Sequence, residues 1–297
     1  MEKLNYEKVF NVLTARLEEY CIEHKIKALV LGISGGIDST VVAAIAREVC
    51  DRIDIPLIGR SLPIKNKNEE FHTSELVGKA FCDDFKVNNL YETFLKVSDT
   101  IEEEDHFKQT HIANGNIQAR LRMIYLYNLA STNNGMVLST DNQTEYQLGF
   151  WTIHGDVGDY DPIQALWKTE VYGLAKWLLE YYRDSIEYLC SEEVDCDASE
   201  YFDKSIAMEK SIALTPTDGL GISNSDLDQI GANSYEEVDE ILQKLLVPKN
   251  QNEHLLTNEY LKAKYDEKTI DKIWDRHLKS EFKRLKAPIS VPRSELL

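Results

Sequence analysis

Apolar and polar positions change period several times along the first half of the chain. Helical spacing runs roughly through 5 to 24, and the aliphatic run KALVLGI then marks a buried strand over 27 to 33. That run stops at Ser34-Gly35-Gly36, and DSTVVAAIAREV resumes helical spacing, which predicts a helix over 39 to 50. IPLIGRSLP reads as a second strand, 68 to 82 as a helix, DFKVNNL as a third short strand and 91 to 104 as a helix. A long amphipathic helix over 112 to 133 leads into MVLST, a fourth strand. Strands alternating with helices of this length predict an α/β fold, a Rossmann-like doubly wound parallel sheet with helices on both faces. Such sheets bind ligands beyond the carboxyl ends of their strands, where strand order reverses. Two strand ends carry the chemistry for this, GISGGIDS after the first and LSTDNQTE after the fourth.

After residue 165 the pattern changes to helices and loops. The acidic stretch SEEVDCDASEYFD at 191 to 203 reads as a solvated insertion or lid loop within a block at about 184 to 212. The C-terminal part, about 279 to 297, gathers base and proline and is expected to lie over something as a tail. One domain spanning 1 to 297 accommodates all of this.

A net charge of -18 repels nucleic acid and anionic membranes, so neither is expected as a partner. The charged N-terminus lacks the apolar core of a signal peptide, and no segment reaches the ~18 uninterrupted apolar residues of a membrane span. Five cysteines without a CxxC pair suit a reducing cytosol, so a cytoplasmic location is expected.

Gly35 and Gly36 let the backbone approach a ligand closely, while the following helix points its free N–H groups at the loop. An anion fits there, with Ser34, Ser39 and Thr40 as hydroxyl donors. Asp38 narrows the chemistry, because a carboxylate beside a phosphate makes sense mainly with Mg2+ between them. The string is neither GxxxxGK[ST] nor GxGxxG, and the lack of the latter speaks against a dehydrogenase. A plain glycine turn with an N-cap is the alternative from local chemistry alone.

SGGIDS resembles the pyrophosphate loop of the N-type ATP pyrophosphatases, which cleave ATP between the α and β phosphates and make an adenylate. The later strings NGNIQARLRMIYLYNLAS, LSTDNQTEYQLGFWTIHGD, PIQALWKTEVYGLA, LTPTDGLG, IGANSYEEVDEIL and EFKR are similar in order and spacing to the ammonia-dependent NAD synthetase family. The resemblance covers nearly the whole chain except the block at about 184 to 212. It implies an adenine nucleotide alpha hydrolase-like fold, ATP as co-substrate, Mg2+, nicotinate adenine dinucleotide and ammonia as further ligands, and a homodimer.

Carried over by position, the resemblance implies Asp38 and Glu145 as Mg2+ ligands and Thr140 as an ATP contact. Arg60 belongs to the loop on the adenine side, and Lys168 and Thr217 match positions that contact the ATP phosphates. Asn116 and Arg120, four apart on one helix, match contacts to the dinucleotide. Asp156 matches a carboxylate needed for the amide-forming step, plausible as a proton acceptor from ammonium. Lys283 and Arg284 match a basic pair that closes over the substrates.

The chain departs from the family pattern at several points. Phe282 stands where His is usual, Ile153 where Lys is usual and Lys67 where Gln is usual. Arg60 falls one residue early, and GDVGDYDP is one residue short. The phosphate and metal chemistry is untouched by these changes.

A carboxylate and ammonia form only a salt, so activation is required. The expected reaction is attack of the nicotinate carboxylate on the ATP α-phosphorus, followed by displacement of AMP by ammonia. The chain has no room for a fused glutaminase, which predicts free ammonia as nitrogen donor. The alternatives are an adenylating enzyme of the same superfamily with another acceptor, and a nucleotide-binding module without turnover.

Overall fold

The computed structural model describes residues 4–64, 68–105, 110–191, 198–216, 225–247 and 251–285. Helix α1 (Tyr6–Glu23) precedes β1 (Leu29–Gly32), followed by α2 (Ile37–Ile53), β2 (Leu57–Ser61), α3 (Asn68–Phe81) and β3 (Asp84–Val87). Then come α4 (Tyr91–Asp105), α5 (His111–Thr132), β4 (Met136–Val137) and the short α6 (Gln143–Leu148). The remainder is helical: α7 (Lys168–Ser191), α8 (Ser199–Ala213), α9 (Asp226–Ile230), α10 (Tyr235–Leu246), α11 (Gln251–Lys264), α12 (Glu267–Lys279) and α13 (Glu281–Arg284).

The four strands are all parallel and stand in the order β3-β2-β1-β4. The chain winds outward from β1 to β3, then returns to place β4 on the free side of β1. Strand order therefore reverses between β1 and β4, and the crevice beyond their carboxyl ends is where this topology leaves room for a ligand.

Strand periodicity explains the two helix layers. Leu29 and Leu31 face a core shared with α1, α2, α3, α7 and α8, whereas Val30 joins Ile58, Val137 and the α5 residues Met123, Leu126 and Ala130 on the other face. A third cluster, built on Val238, Ile241, Leu242, Leu261 and Ile273, packs the C-terminal helices together and takes in Leu148 of α6. Through α6 this helical core is fastened to the crevice.

Three expectations need adjustment. The fourth strand is two residues long rather than five, because after Val137 the chain also meets residues 159 and 160: Asp159 N donates to Val137 O at 2.8 Å, and Ser139 N to Tyr160 O at 2.8 Å. Helix α2 begins at Ile37, with Gly36 extended at φ -68 and ψ 160 as its N-cap, so Asp38 lies in the first turn instead of the loop. The acidic block is no lid loop where it is described. Helix α7 runs on to Ser191, and α8 packs against α3 and α7 by burying Ala207, Met208 and Ser211, with Ser211 Oγ 2.7 Å from Thr40 Oγ1. Apolar residues at helical spacing outweigh the acid content there. Among the described residues no helix is long and apolar enough to cross a membrane. Cys21, Cys50, Cys82 and Cys190 are free thiols, and Cys196 lies outside the described residues.

Candidate active site

The loop between β1 and α2 is shaped by one glycine. Gly35 has φ +85, and a Cβ there would stand 2.7 Å from Ser74 N and 2.9 Å from Glu70 O of α3. Both the left-handed backbone and the tight approach of α3 exclude a side chain. The serines are held inside the turn, with Ser34 Oγ 3.0 Å from Ser39 Oγ and Gly36 N donating to Ser34 Oγ at 3.2 Å. The loop thus presents the N-terminus of a well-buried helix to the crevice.

Across the crevice, α6 starts with a reciprocal cap. Glu145 N donates to Asn142 Oδ1 at 3.1 Å, and Asn142 N donates to Glu145 Oε2 at 3.2 Å. Asn142 is fully buried and its Nδ2 donates to Asp38 Oδ1 at 2.9 Å, so one amide joins the two strand ends. Between the carboxylates lies Lys168, the first residue of α7. Its ammonium donates to Asp38 Oδ2 at 2.5 Å and to Glu145 Oε1 at 3.1 Å, and its side chain is 2% exposed.

Lys168 is placed by a further relay. Its backbone N donates to Thr144 Oγ1 at 2.9 Å, Thr144 Oγ1 donates to Asp239 Oδ1 at 2.5 Å, and Thr169 N donates to Asp239 Oδ2 at 2.9 Å. Asp239 of α10 therefore caps α7 from outside. Burial pushes its carboxyl up to about 6 against the pull of these bonds.

The electrostatics follow from packing acids in a crevice. Burial would lower Lys168, but Asp38 and Glu145 outweigh it and hold the ammonium well above its ordinary range. Burial raises Glu145 to about 7, with Lys168 opposing and Asp38 reinforcing the rise. Asp156 is open to water within the crevice, yet the surrounding protein raises its carboxyl against the Thr152 N–H and the Lys283 charge. Asp161 is likewise pushed by burial to about 7. Glu145 and Asp161 are thus carboxyl groups poised to accept or share a proton near neutrality.

These elements enclose a cavity of about 560 Å³, in the range of small-molecule sites. Of the residues expected to act, Ser34, Asp38, Ser39, Arg60, Asn116, Thr140, Glu145, Asp156 and Lys283 line it. Lys168 lies beneath its floor, and Gly35 and Gly36 form the turn at its edge. Asn116 Oδ1 accepts from Thr152 Oγ1 at 2.9 Å, and Lys283 Nζ donates to Gly149 O at 2.6 Å, laying α13 over the rim.

Three residues sit differently from expectation. Arg60 is 3% exposed and its guanidinium donates to Asp84 Oδ2 at 2.6 Å and to Asp84 O at 2.7 Å, which turns its charge toward β3. Arg120 does not share the cavity with Asn116. It opens on a neighbouring pocket with Ile153 and His154, and donates to Ile153 O at 3.1 Å. A turn of about 100° per residue explains this, because the cavity stripe of α5 runs through Ile112, Asn116, Ala119, Met123 and Leu126 and leaves 120 on its outer flank. Arg284 lines neither space and donates to Gln147 O at 2.8 Å and to His277 O at 2.6 Å. Thr217 lies outside the described residues.

Sequence reasoning missed Asn142, Arg122, Trp151, Asp226 and Arg276. The spacing of Asn142 and Glu145 is that of a capping box, the signal that could have singled out Asn142. The others line the cavity through tertiary placement alone, Arg276 lying 3.7 Å over the Phe150 ring. Among the described residues no group of three or more His, Cys, Asp or Glu side chains is arranged to hold a metal ion. The pair Asp38 and Glu145 still fits a divalent cation of the kind held by one or two carboxylates and completed by substrate phosphates.

Comparison with known proteins points to one family. An NH3-dependent NAD(+) synthetase of Mycoplasma genitalium is 32% identical over 277 residues, 92% of this chain and 97% of that protein. The structure of an NMN synthetase from Francisella tularensis superposes with a TM-score of 0.73 at 23% identity, covering 97% of this chain and 99% of that one. An NH3-dependent NAD synthetase from Campylobacter jejuni superposes with a TM-score of 0.69 at 23% identity, covering 97% and 100%. At such identity these two structures establish the fold. The sequence profile described as NAD synthase matches residues 9–287, nearly the full length, and the chain belongs to the NAD synthase family.

Proposed function

We propose that the protein is an ammonia-dependent NAD synthetase, which adenylates the nicotinate carboxylate of nicotinate adenine dinucleotide with ATP and amidates it with ammonia. The family match and the relative that shares its length support this reading. The single observation that carries it is the meeting of Asp38 and Glu145 on Lys168 beside the SGGIDS turn, at the point where strand order reverses.

In the first step a nicotinate oxygen bonds to the α-phosphorus and the bond from that phosphorus to the pyrophosphate oxygen breaks. The N-terminus of α2, with Ser34 and Ser39, receives the departing pyrophosphate. Asp38 and Glu145 would hold Mg2+, which supplies charge neutralisation to the phosphates when bound. Lys168 then turns from the carboxylates to the phosphate oxygens, carrying a charge that their proximity keeps on it. In the second step ammonia attacks the carbonyl carbon, the bond from that carbon to the phosphate oxygen breaks, and AMP leaves. Asp156, with its carboxyl raised, takes the proton that ammonium must lose. Thr140 and Asn116 border the substrates, and Lys283 covers them from α13. A homodimer fits this reading, with Ile112 and Ile124 of α5 exposed at 65% and 66%.

A second reading shortens the substrate to the nicotinate mononucleotide. It is favoured by Ile153, an aliphatic residue where a basic dinucleotide contact is expected, whose carbonyl engages Arg120. Purified protein given Mg-ATP, ammonium and either the dinucleotide or the mononucleotide decides between them, with glutamine replacing ammonium as a control. Amide formed from the dinucleotide with ammonium alone supports the first reading. Amide only from the mononucleotide supports the second, and neither amide refutes both.

A further inference from the structure

Arg122 faces the cavity from α5, and the reaction described above gives it no task. Its Nε donates to Leu62 O at 3.1 Å, just past the end of β2, and this bond fixes the plane of the guanidinium. Its two terminal nitrogens make no other hydrogen bond among the described residues. Burial lowers its guanidinium from the ordinary range, while two carboxylates that line the same cavity oppose this, Asp156 and Glu70 of the first turn of α3. The Glu70 backbone borders the phosphate turn, where its carbonyl would stand 2.9 Å from a Gly35 Cβ.

The other cations lining the cavity are differently engaged. Arg60 is turned to Asp84, Lys283 to the Gly149 and Trp151 carbonyls, and Arg276 is stacked on Phe150. Arg122 therefore shares one cavity with the turn that receives pyrophosphate and the carboxylate that receives a proton. The group lying between those two points during reaction is the α-phosphoryl. A planar fork whose orientation is already set, with terminal donors unengaged, matches two phosphoryl oxygens better than a flexible ammonium does.

Resting on the synthetase reading, we propose that Arg122 engages the non-bridging α-phosphoryl oxygens in the transition state of adenylation, stabilising them as the new bond to phosphorus forms rather than holding ATP in the ground state. No proton moves in this contact. The fork offsets negative charge while the nicotinate oxygen bonds to phosphorus and the pyrophosphate oxygen leaves. Asn116 orients the dinucleotide, and Arg122 acts on the phosphorus.

The test is exchange of labelled pyrophosphate into ATP, with nicotinate adenine dinucleotide present and ammonium absent, by the full chain and by Arg122→Ala and Arg122→Lys. Arg122→Ala should slow exchange about 100-fold while the dissociation constant of ATP changes by less than about threefold. Added guanidinium at millimolar concentration should restore part of the rate. Arg122→Lys keeps charge but loses the fork, and should slow exchange about tenfold at an unchanged unfolding temperature. Exchange within about threefold of the wild type in Arg122→Lys, or in a folded Arg122→Ala, overturns the proposal. So does an equal loss of exchange and of ATP binding that guanidinium does not relieve. If the wild-type chain itself shows no exchange, the synthetase reading is what fails.

Discussion

Lys168 Nζ lies 2.5 Å from Asp38 Oδ2, joining residues 130 apart in sequence, and only 2% of the lysine side chain is exposed. The ammonium therefore balances two carboxylates. Lys168→Met should lower unfolding free energy by about 2–4 kcal/mol, because it strands Asp38 and Glu145 beside each other. Urea unfolding measures it, and the loss should be larger at pH 8 than at pH 5.5, where Glu145 can take a proton.

Glu145 sets a second expectation, about pH. Its folded-state carboxyl is raised from 4.5 to about 7, so protonation favours the folded protein. A raised carboxyl contributes stability that is present below its unfolded value and is lost as pH rises through its folded one. Wild type should lose roughly 3 kcal/mol from this group between about pH 4.5 and pH 7. Glu145→Gln should flatten that part of the profile, and unfolding temperatures of the two proteins across this range make the comparison.

Gly35 allows no side chain. Gly35→Ala forces a left-handed alanine with its Cβ 2.7 Å from Ser74 N, at a cost of about 1–3 kcal/mol. Because α3 and the turn must separate to make room, KM for ATP should rise about tenfold while Gly78→Ala, which meets the Phe85 ring instead, leaves it unchanged. Steady-state kinetics with varied ATP separates the two variants.

Asn142 joins two groups with one side chain, the Glu145 N–H and the Asp38 carboxylate. Asn142→Ala removes the cap of α6 and the donor to Asp38, and should cost about 1–2 kcal/mol. Asn142→Asp keeps the cap but sets a carboxylate against Asp38, so it should keep more stability than the alanine variant at pH 5.5 and lose that advantage at pH 8. Thermal unfolding at both values reads the difference.

The centre of the sheet was legible because β1 and β2 are buried on both faces, whereas the edge strand β3 is only partly covered. Runs such as KALVLGI leave no other reading, and a glycine turn followed by a helical period fixes the direction of the next element. The turn after β1 was legible for a different reason, since Gly35 at φ +85 is required by backbone geometry before any ligand is considered. Asn116 and Arg120 were harder, because the pairing rule for residues four apart says that they are neighbours without saying which side of α5 meets the cavity. Arg122 could not be read at all. Its Nε bond to Leu62 O crosses 60 residues, and nothing in RLRM distinguishes it from a helix-surface base. Asp239 was hidden likewise, being an N-cap supplied to α7 from another helix. The acidic block misled through composition, since the acids of α8 lie outward while Ala207 and Met208 dock on the core.

The most direct test of the account follows an oxygen atom. Nicotinate adenine dinucleotide carrying oxygen-18 in its carboxylate is turned over with Mg-ATP and ammonium by the wild type and by Asp38→Ala, and the products are weighed by mass spectrometry. The account predicts one labelled oxygen in AMP, unlabelled pyrophosphate, and loss of product by about 100-fold or more in the variant. Label in inorganic phosphate with ADP as coproduct, or full turnover by Asp38→Ala, would contradict it.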